Sequence, residues 1–584
     1  MFSFCVPVMP SFQLIKTRVV TGPTNTSAKS CTSHKHAIVR RSANYKPNQW
    51  DLASIQTLKS DYTEEAYGSL ATKLKEEVRL LFDRIEPLAQ VRLIHTVKRL
   101  GLGYHFEKEI NGLLNAMLSS GYHKVVQKNG LEDTAVLFML LRQHGFMVSE
   151  EIFNDFKDDN GCFAESLSQD VKGLLGLYQA SYLSFNGDKT LDEVREFTVR
   201  HLKVLDSPTS TLAREVSHAL DLPSHWSLQR LQVRRYIDMY KIEEGMNSTL
   251  LSLAKLDFNM VQHIHQRELI NNICWWKSLR HGKSLSFARD RILECFFVAV
   301  SVIFQPQFKS CLEWLPKICA LIVILDDIYD VHGSFGELEI LTGIIDRWET
   351  KEIENLPEYM KICFSTICNT VNEIANNIKQ DDRSEIVCRL KKMWADLCKS
   401  FLREAKWHHT KYMPTFTEYL NNGWISASGP LILSHVEVLS CQEQRKGSLD
   451  LLESCQRLVK LSSTVFRLCN DLATSSAELE RGDTPTSIQC YMREVGVSEI
   501  DAREHISNVI LQTWKEMNRE FVSCSSHPRP FTDACVNLAR MAVSIYNKGD
   551  GLGIPDHEMK DYILSLLMKP VSLTEDELIL VWDK

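Results

Sequence analysis

Three aspartates lie within five residues, at Asp326, Asp327 and Asp330, directly after the apolar stretch Ile318–Leu325. Buried carboxylates are costly unless a cation or a hydrogen-bond donor compensates them. On an α-helix of 3.6 residues per turn, Asp326 and Asp330 share one face, and Asp327 points about 100° away. Mg²⁺ prefers such oxygen ligands. The apolar run before them argues against a solvated helix end, so the pattern predicts a magnesium site on a buried helix.

A second group of oxygen ligands follows further along the chain, at Asn470, Thr474 and Glu478. Steps of four residues place an amide, a hydroxyl and a carboxylate on one stripe of a helix. The alternative is an N-cap followed by polar surface residues, but the apolar segment Leu458–Phe466 leads directly into this stripe. Two oxygen-rich patches on buried helices indicate a site for several Mg²⁺ ions bound to a pyrophosphate.

Arginines accompany both patches. Arg289 and Arg291 precede the first aspartate by thirty-odd residues, and Arg467 lies three residues before Asn470, on the same side of that helix. Arginine stays charged and binds phosphate oxygens in a bidentate manner. A lone arginine would be interpreted as half of a surface ion pair, but beside a metal site these residues indicate a clamp for diphosphate.

The elements that must position these residues are helices. Apolar residues recur at steps of three and four in 64–83, 227–241 and 250–269, whereas alternating patterns are scarce and no glycine-rich phosphate loop occurs. The "SASGP" stretch of 426–430 should interrupt a helix, because Gly and Pro break its hydrogen-bond ladder. We therefore predict an all-α chain.

The composition excludes several classes of protein. A net charge of −7 gives no basic surface for nucleic acid, and the longest apolar runs are too short to span a bilayer. The 17 cysteines show no ladder of spacings and are interpreted as reduced thiols. Residues 1–50 contain no Asp or Glu but many Ser, Thr, Lys and Arg. That composition predicts a plastid transit peptide over 1–39, with a disordered tail as the alternative.

Several longer motifs carry a family resemblance. They include "LLRQHGF", "RDRILECFF", "LDDIYDVHG", "RLCNDLATSSAE" and "YNKGDGLG", together with the tandem Arg40–Arg41 that precedes Trp50. With them the chain resembles plant terpene synthases that ionise a prenyl diphosphate, of the plastidial monoterpene type. The resemblance implies an N-terminal relict α-barrel over 40–260, without the acid motif of protonation-type cyclases. It also implies a C-terminal class I catalytic α-bundle over 261–584.

The resemblance also implies roles for individual residues. Asp326 and Asp330 would hold Mg²⁺, and Asn470, Thr474 and Glu478 would hold a third ion, with Mn²⁺ as a substitute. Arg289 and Arg467, joined by Arg291, would bind diphosphate oxygens, and Arg40–Arg41 would clamp the N-terminal strand over the closed pocket. The candidate catalytic residues are Asp326, Asp327, Tyr546 and Asp550, the candidate pocket residues are Trp276 and Val298, and the candidate aromatic faces are Trp275, Trp276, Phe296, Phe297 and Tyr546.

Three pocket positions depart from the limonene-type pattern. Val298 replaces a tryptophan, Cys319 replaces an asparagine and Leu552 replaces a histidine, whereas Asp550 is kept. Loss of an aromatic face and of a potential base alters how a carbocation is steered and quenched. The resemblance therefore supports ionisation more strongly than it supports a limonene-like product, and acyclic, hydroxylated or bicyclic products stay open.

The expected function is Mg²⁺-dependent ionisation of geranyl diphosphate, then cyclisation, deprotonation or water capture. We expect a protein of the chloroplast stroma, a monomer with a dimer as the alternative, and no nucleic acid or membrane partner. One rival is a sesquiterpene synthase acting on farnesyl diphosphate, because Val298 enlarges the pocket. Another is a non-catalytic helical protein that binds prenyl diphosphates, which the five intact metal ligands argue against.

Two weaker patterns complete the sequence-based expectations. The pairs His408–His409 and His263/His265 suggest zinc, but no Cys or His partner has ligand spacing, so this is the weakest rival. The acidic pair beginning at Asp381 is interpreted as part of a surface loop.

Overall fold

The computed structural model describes residues 40–83, 86–121, 130–204, 210–377, 383–444, 451–482, 485–553 and 556–573. The predicted transit peptide and the acidic pair at Asp381 lie outside these ranges. Within them the chain is helical throughout, and the one extended pairing is an isolated bridge between Lys157 and Phe163. The all-α prediction is confirmed. No helix of the described part is long and apolar enough to cross a membrane.

The first half of the chain forms short amphipathic helices whose apolar faces share one core. The 64–83 pattern corresponds to a helix with those bounds, because Leu74, Val78 and Phe82 recur on its buried face. The helices are α1 (Leu52–Gln56), α2 (Glu64–Asp83), α3 (Pro87–Arg99), α4 (Glu107–Ser119), α5 (Leu131–Gln143), α6 (Val171–Ser181), α7 (Lys189–Leu202), α8 (Thr211–Asp221) and α9 (Gln229–Tyr240).

A 32-residue helix, α10 (Ser248–Leu279), joins the two halves. It packs against α2 and also against helices of the catalytic half. The side chain of Asn259 exchanges two hydrogen bonds with the backbone of Val571, at 2.8 and 2.7 Å, so the end of the chain returns to this helix. The expected boundary between 260 and 261 therefore lies inside a continuous helix, and the position of the domain limit stays a prediction.

The second half forms a helical bundle that positions the predicted site. Within it, α12 packs on α11 and α17, and α19 packs on α16, α17, α21 and α22. The helices are α11 (Ile292–Val302), α12 (Lys309–Asp327), α13 (Phe335–Arg347), α14 (Glu358–Asn376), α15 (Arg383–Thr410), α16 (Phe416–Ser426), α17 (Gly429–Gln444), α18 (Leu451–Ser454), α19 (Gln456–Arg481), α20 (Ser487–Val495), α21 (Glu499–Ser523), α22 (Arg529–Tyr546) and α23 (His557–Ile563).

Candidate active site

The aspartate motif lies where α12 changes its hydrogen-bond pattern. The α-helix ends at Asp327, and residues Ile328–His332 form one π-helical turn. Asp326 is half-buried, Asp327 is 1% exposed and Asp330 is exposed. The predicted α-helix is correct as far as Asp327 and wrong for Asp330, because the turn adopts the wider i→i+5 pattern. Such π-turns occur frequently at functional sites.

Arg289 lies against the first two aspartates. Its backbone N–H donates to Asp327 Oδ2 at 2.8 Å, its Nε lies 2.9 Å from Asp327 Oδ1, and its Nη2 pairs with Asp326. Burial raises the pKa of Asp327 to about 6, although the charge of Arg289 opposes this shift. Asp327 therefore positions the guanidinium, Asp326 shares that arginine, and Asp326 and Asp330 stay the predicted metal ligands.

The second motif lies along α19 as the spacing predicts. The Arg467 Nη1 donates to Asn470 Oδ1 at 3.2 Å, and the Thr474 hydroxyl donates to the Asn470 carbonyl at 3.0 Å. Burial raises the pKa of Glu478 to about 7, and the nearby charge of Asp471 raises it further, against a hydrogen bond from Thr474. A divalent cation bound here would favour the ionised carboxylate, so this donor set fits a metal ion.

Arg467 donates hydrogen bonds to polar groups that the sequence analysis did not predict. Its Nη2 donates to Ser426 Oγ at 3.1 Å and its Nε donates to the Gly423 carbonyl at 3.3 Å. Ser426 in turn donates to the buried carboxylate of Glu404 at 2.5 Å. Gly423 and Ser426 lie in the last turn of α16, which ends at Ser426, and α17 begins at Gly429, so the predicted interruption is confirmed. The "SASGP" stretch was the available signal, but it did not reveal that its serine supports the arginine.

Tyr546, on α22, connects the two motifs. Burial is the main cause that raises the pKa of its hydroxyl, and the charge of Asp550 adds to it. The charges of Arg289 and Arg467 and a hydrogen bond with Asn470 act in the opposite direction. The helix that carries Tyr546 packs on α19, which holds the second motif, and on α11, which packs on the helix of the first motif, so the fold brings the two predicted metal patches to the same part of the bundle.

Arg291 joins two loops beside this site. It donates to the carbonyls of Leu552, Gly553 and Lys46 at 3.1, 2.9 and 2.9 Å, and to that of Asp290 at 2.9 Å. Four of its five N–H donors are therefore occupied by the backbone. In this structure Arg291 positions loops, and its predicted contact with diphosphate stays a prediction.

Residues Arg40–Trp50, here called the strap, begin at the far end of the aspartate motif. Arg40 donates to both carboxylate oxygens of Glu337, at 2.8 and 2.9 Å, to the Tyr359 hydroxyl at 2.8 Å and to the His332 carbonyl at 3.0 Å. A bidentate arginine–carboxylate pair fixes orientation as well as proximity. The start of the strap is thus tied to the turn that carries Asp330.

The strap then runs towards α11. Arg41 donates to the Asp330 carbonyl at 3.2 Å, and the ring of Tyr45 lies 4.7 Å from the guanidinium carbon of Arg289. At its end, Trp50 donates from Nε1 to the buried carboxylate of Glu294 at 2.9 Å. These contacts agree with the predicted clamp, because the strap touches both the aspartate motif and its arginine.

The predicted pocket residues Trp276 and Val298 and the predicted aromatic faces Phe296 and Phe297 are all buried. Trp276 is buried and donates from Nε1 to Asp290 Oδ1 at 2.7 Å, which supports the loop that carries Arg289. Phe296 and Phe297 are fully buried on α11 and belong to the core. Val298 lies on the same helix at 6% exposure. Trp276 and Val298 stay predicted pocket residues.

The histidine pairs take part in other contacts. His265 is buried and its Nε2 lies 2.9 Å from the Phe304 carbonyl, while His408 Nε2 lies 2.9 Å from the Gly482 carbonyl. Burial lowers the pKa of His265 to about 3. Both rings therefore bind backbone groups, which is the ordinary role of a structural histidine.

A cavity of about 640 Å³ lies elsewhere, between the N-terminal helices and the start of α22. Its lining includes Lys98, His144, Arg529 and Arg540. None of the residues predicted above for catalysis or metal binding lines it. The chemistry of the acidic motifs, and not the size of a cavity, therefore locates the candidate active site.

Two family models match the chain. The N-terminal domain of terpene synthases matches residues 49–220, and the metal binding domain of the terpene synthase family matches residues 277–516. A (−)-alpha-terpineol synthase of Vitis vinifera is 46% identical over 544 residues, covering 92% of both chains. A chloroplastic myrcene synthase of Quercus ilex is 44% identical over 543 residues, covering 92% of this chain and 91% of the relative.

Solved structures show the same similarity. Isoprene synthase from grey poplar leaves, in complex with three Mg²⁺ ions and dimethylallyl-S-thiolodiphosphate, is 42% identical with a TM-score of 0.81. That match covers 90% of this chain and 99% of the poplar chain. A limonene synthase with 2-fluorolinalyl diphosphate is 36% identical with a TM-score of 0.86, covering 91% of this chain and all of the other.

Proposed function

The chain belongs to the terpene synthase family, and on that premise we propose that it converts geranyl diphosphate into a monoterpene with the help of Mg²⁺. The observation that carries the proposal is that each acidic motif lies against an arginine, Arg289 at Asp326 and Arg467 at Asn470, and that α11 and α19 both pack on α22. Oxygen ligands next to arginines suit a substrate that carries a diphosphate. The relatives named above supply the monoterpene class.

Asp326 and Asp330 on one side, and Asn470, Thr474 and Glu478 on the other, are the residues that would hold the metal. Their donors are all oxygens, which suits Mg²⁺ and, as a substitute, Mn²⁺. When bound, the metal neutralises the diphosphate and makes it a better leaving group. The poplar isoprene synthase complex contains three Mg²⁺ ions, and we propose the same number here.

The chain's own cations complete the clamp. The Nε of Arg289 pairs with Asp327, and Arg467 donates to Ser426 and the Gly423 carbonyl, so the fold positions both guanidinium groups before substrate arrives. Preorganised donors of this kind stabilise charge as it develops on the departing diphosphate. Each tenfold increase in rate corresponds to an activation barrier that is lower by about 1.4 kcal/mol.

The strap and the apolar wall would govern the fate of the allylic cation. Arg40, Arg41 and Tyr45 hold the strap beside the aspartate motif, which favours exclusion of water from a reactive intermediate. Tyr546 and Asp550 are the candidate groups that steer or quench the cation. Val298 offers no aromatic face, and this favours a product other than a simple monocyclic olefin.

The proposed location in the cell rests on the chloroplastic relatives and on the composition of residues 1–39. The myrcene synthase of Quercus ilex is named chloroplastic, and residues 1–39 of this chain have the composition of a transit peptide. We propose that the protein works in the plastid stroma and that its N-terminal domain ends near residue 260. For its assembly we propose a monomer, with a dimer as the alternative.

The test is incubation of the purified chain with geranyl diphosphate and, separately, farnesyl diphosphate, each with Mg²⁺ or with a chelator. Gas chromatography should detect a monoterpene from geranyl diphosphate only when Mg²⁺ is present. Efficient turnover of farnesyl diphosphate alone would indicate a sesquiterpene synthase. Substrate binding without any turnover would indicate a non-catalytic protein that binds prenyl diphosphates.

A further inference from the structure

A second group of metal-ligating side chains lies in the catalytic half, outside both acidic motifs. It consists of Cys455, Cys524 and His527, here called the Cys₂His cluster. One ligand atom from each residue lies within 4.8 Å of the other two. Cys455 precedes the first residue of α19, Cys524 follows the last residue of α21, and His527 lies in the turn before α22. Two separate parts of the chain, the start of α19 and the turn between α21 and α22, therefore converge on one point.

The burial of these side chains leaves one donor or acceptor unsatisfied. Cys455 is fully buried, Cys524 is 3% exposed and His527 is half-buried. The Nδ1 atom of His527 is buried and has no hydrogen-bond partner among the described residues. A buried polar atom without a partner costs about 1–3 kcal/mol. A disulfide between the two cysteines would leave that cost in place, whereas a metal ion would use all three side chains.

We propose that the Cys₂His cluster binds a zinc ion. In a tetrahedral zinc site the metal–sulfur and metal–nitrogen distances of about 2.3 and 2.0 Å place neighbouring ligand atoms about 3.5–3.8 Å apart. The observed spread of up to 4.8 Å closes to that geometry with small side-chain movements. Thiolate and imidazole ligands select zinc over the Mg²⁺ that the oxygen ligands of the active site prefer.

A candidate fourth ligand lies beside the cluster. The Glu520 Oε1 lies 4.0 Å from the Cys524 sulfur. Glu520 or a water molecule can therefore complete a four-coordinate site.

The position of the cluster in the fold indicates a structural role. Asn470 lies fifteen residues beyond Cys455 on α19, about 22 Å away along a helix axis that rises 1.5 Å per residue. Zinc would fasten the start of α19, the helix that carries the second acidic motif, to the turn between α21 and α22. We therefore expect zinc to raise the melting temperature without changing product ratios.

The test measures the zinc content of the full chain after passage over a chelating resin. We expect about one zinc ion per chain in the wild type, and about tenfold less in Cys524→Ser and in His527→Gln. His527→Gln changes a half-buried residue, so it remains informative even where the cysteine variant folds poorly. Cys363→Ser, which replaces a buried thiol outside the cluster, should retain its zinc.

Cobalt provides a second readout. After exchange with Co²⁺, thiolate-to-cobalt charge-transfer absorption should appear in the wild type and in Cys363→Ser, and it should be lost in Cys524→Ser. A wild type that takes up no zinc would overturn the proposal. Zinc content that is equal in wild type and Cys524→Ser, or a Cys455–Cys524 disulfide under reducing conditions, would also do so. Asp326→Ala should bind zinc while inactive, which separates this proposal from the proposed function.

Discussion

Replacing Arg40 with alanine removes the bonds that hold the start of the strap. The guanidinium donates to Glu337, Tyr359 and the His332 carbonyl, and the side chains of Arg40 and Glu337 are 26% and 14% exposed. A hydrogen bond to a charged group contributes about 1.5–3 kcal/mol net. Because the pair is partly solvated, we expect the Arg40 contacts together to stabilise the bound strap by about 3 kcal/mol. This corresponds to about two orders of magnitude in the equilibrium constant between the bound and the released strap.

The pKa of Glu337 is shifted in the direction that the pairing with Arg40 predicts. Burial alone would raise this pKa, but hydrogen bonds from Arg40 and Ser334 outweigh burial and lower it from 4.5 to about 2. Arg40 and Ser334 share this depression, and the charge of Arg40 adds to its hydrogen bond. A depressed carboxyl pKa contributes stability that is complete above 4.5 and is lost as the pH falls towards 2. The strap contact is therefore intact at neutral pH.

The assay for Arg40→Ala is the product profile from geranyl diphosphate, with melting temperature measured on the same samples. We expect acyclic and hydroxylated products to rise, because a released strap admits water to the cation. Arg40→Lys keeps the charge but not the bidentate fork, so it should be intermediate. Arg40 and Arg41 are also expected to favour isomerisation to the linalyl intermediate, so linalyl diphosphate should restore cyclic products when both are deleted. An unchanged profile in Arg40→Ala with a lowered melting temperature would refute the reasoning.

Three further predictions address other parts of the chain. Asp326→Ala should nearly abolish turnover with an unchanged circular dichroism spectrum, and normal activity at limiting Mg²⁺ would contradict the metal assignment. Val298→Trp should shift products towards monocyclic olefins, because a cation–π contact in a dry site stabilises the cation by about 2 kcal/mol. An unchanged product ratio with a lower melting temperature would instead indicate that the indole overpacks the core and destabilises the fold by about 1–3 kcal/mol. Removal of residues 1–39 should leave ionisation intact but abolish plastid import, and a full-length fluorescent fusion that stays in the cytosol would argue against the targeting role.

Much of the fold and site follows from local patterns. The periodicity of 64–83 predicts helix α2 with its observed bounds, and the "SASGP" stretch predicts the break between α16 and α17. The spacing of Asn470, Thr474 and Glu478 predicts their common stripe on α19, because helical geometry fixes which residues share a face.

Other features depend on contacts between distant parts of the chain. The π-turn at Asp330 arises from a change in backbone hydrogen bonding that side-chain spacing does not encode. Arg291 meets the carbonyls of Lys46 and Leu552, which lie 245 and 261 residues away in sequence. The Cys₂His cluster was missed for the same reason, because Cys455 and Cys524 belong to different helices. The "CSSH" spacing of Cys524 and His527 was the available signal.

The central claim is that two acidic motifs hold divalent cations against one diphosphate. The most direct test is a crystal of the chain grown with Mn²⁺ and a thiolodiphosphate analogue of geranyl diphosphate, examined by anomalous scattering at the manganese edge. The account predicts manganese peaks beside Asp326 and Asp330 and a further peak beside Asn470, Thr474 and Glu478, all in contact with the diphosphate. An analogue bound with no manganese at the α19 motif, or with its diphosphate directed away from Arg289 and Arg467, would contradict the account.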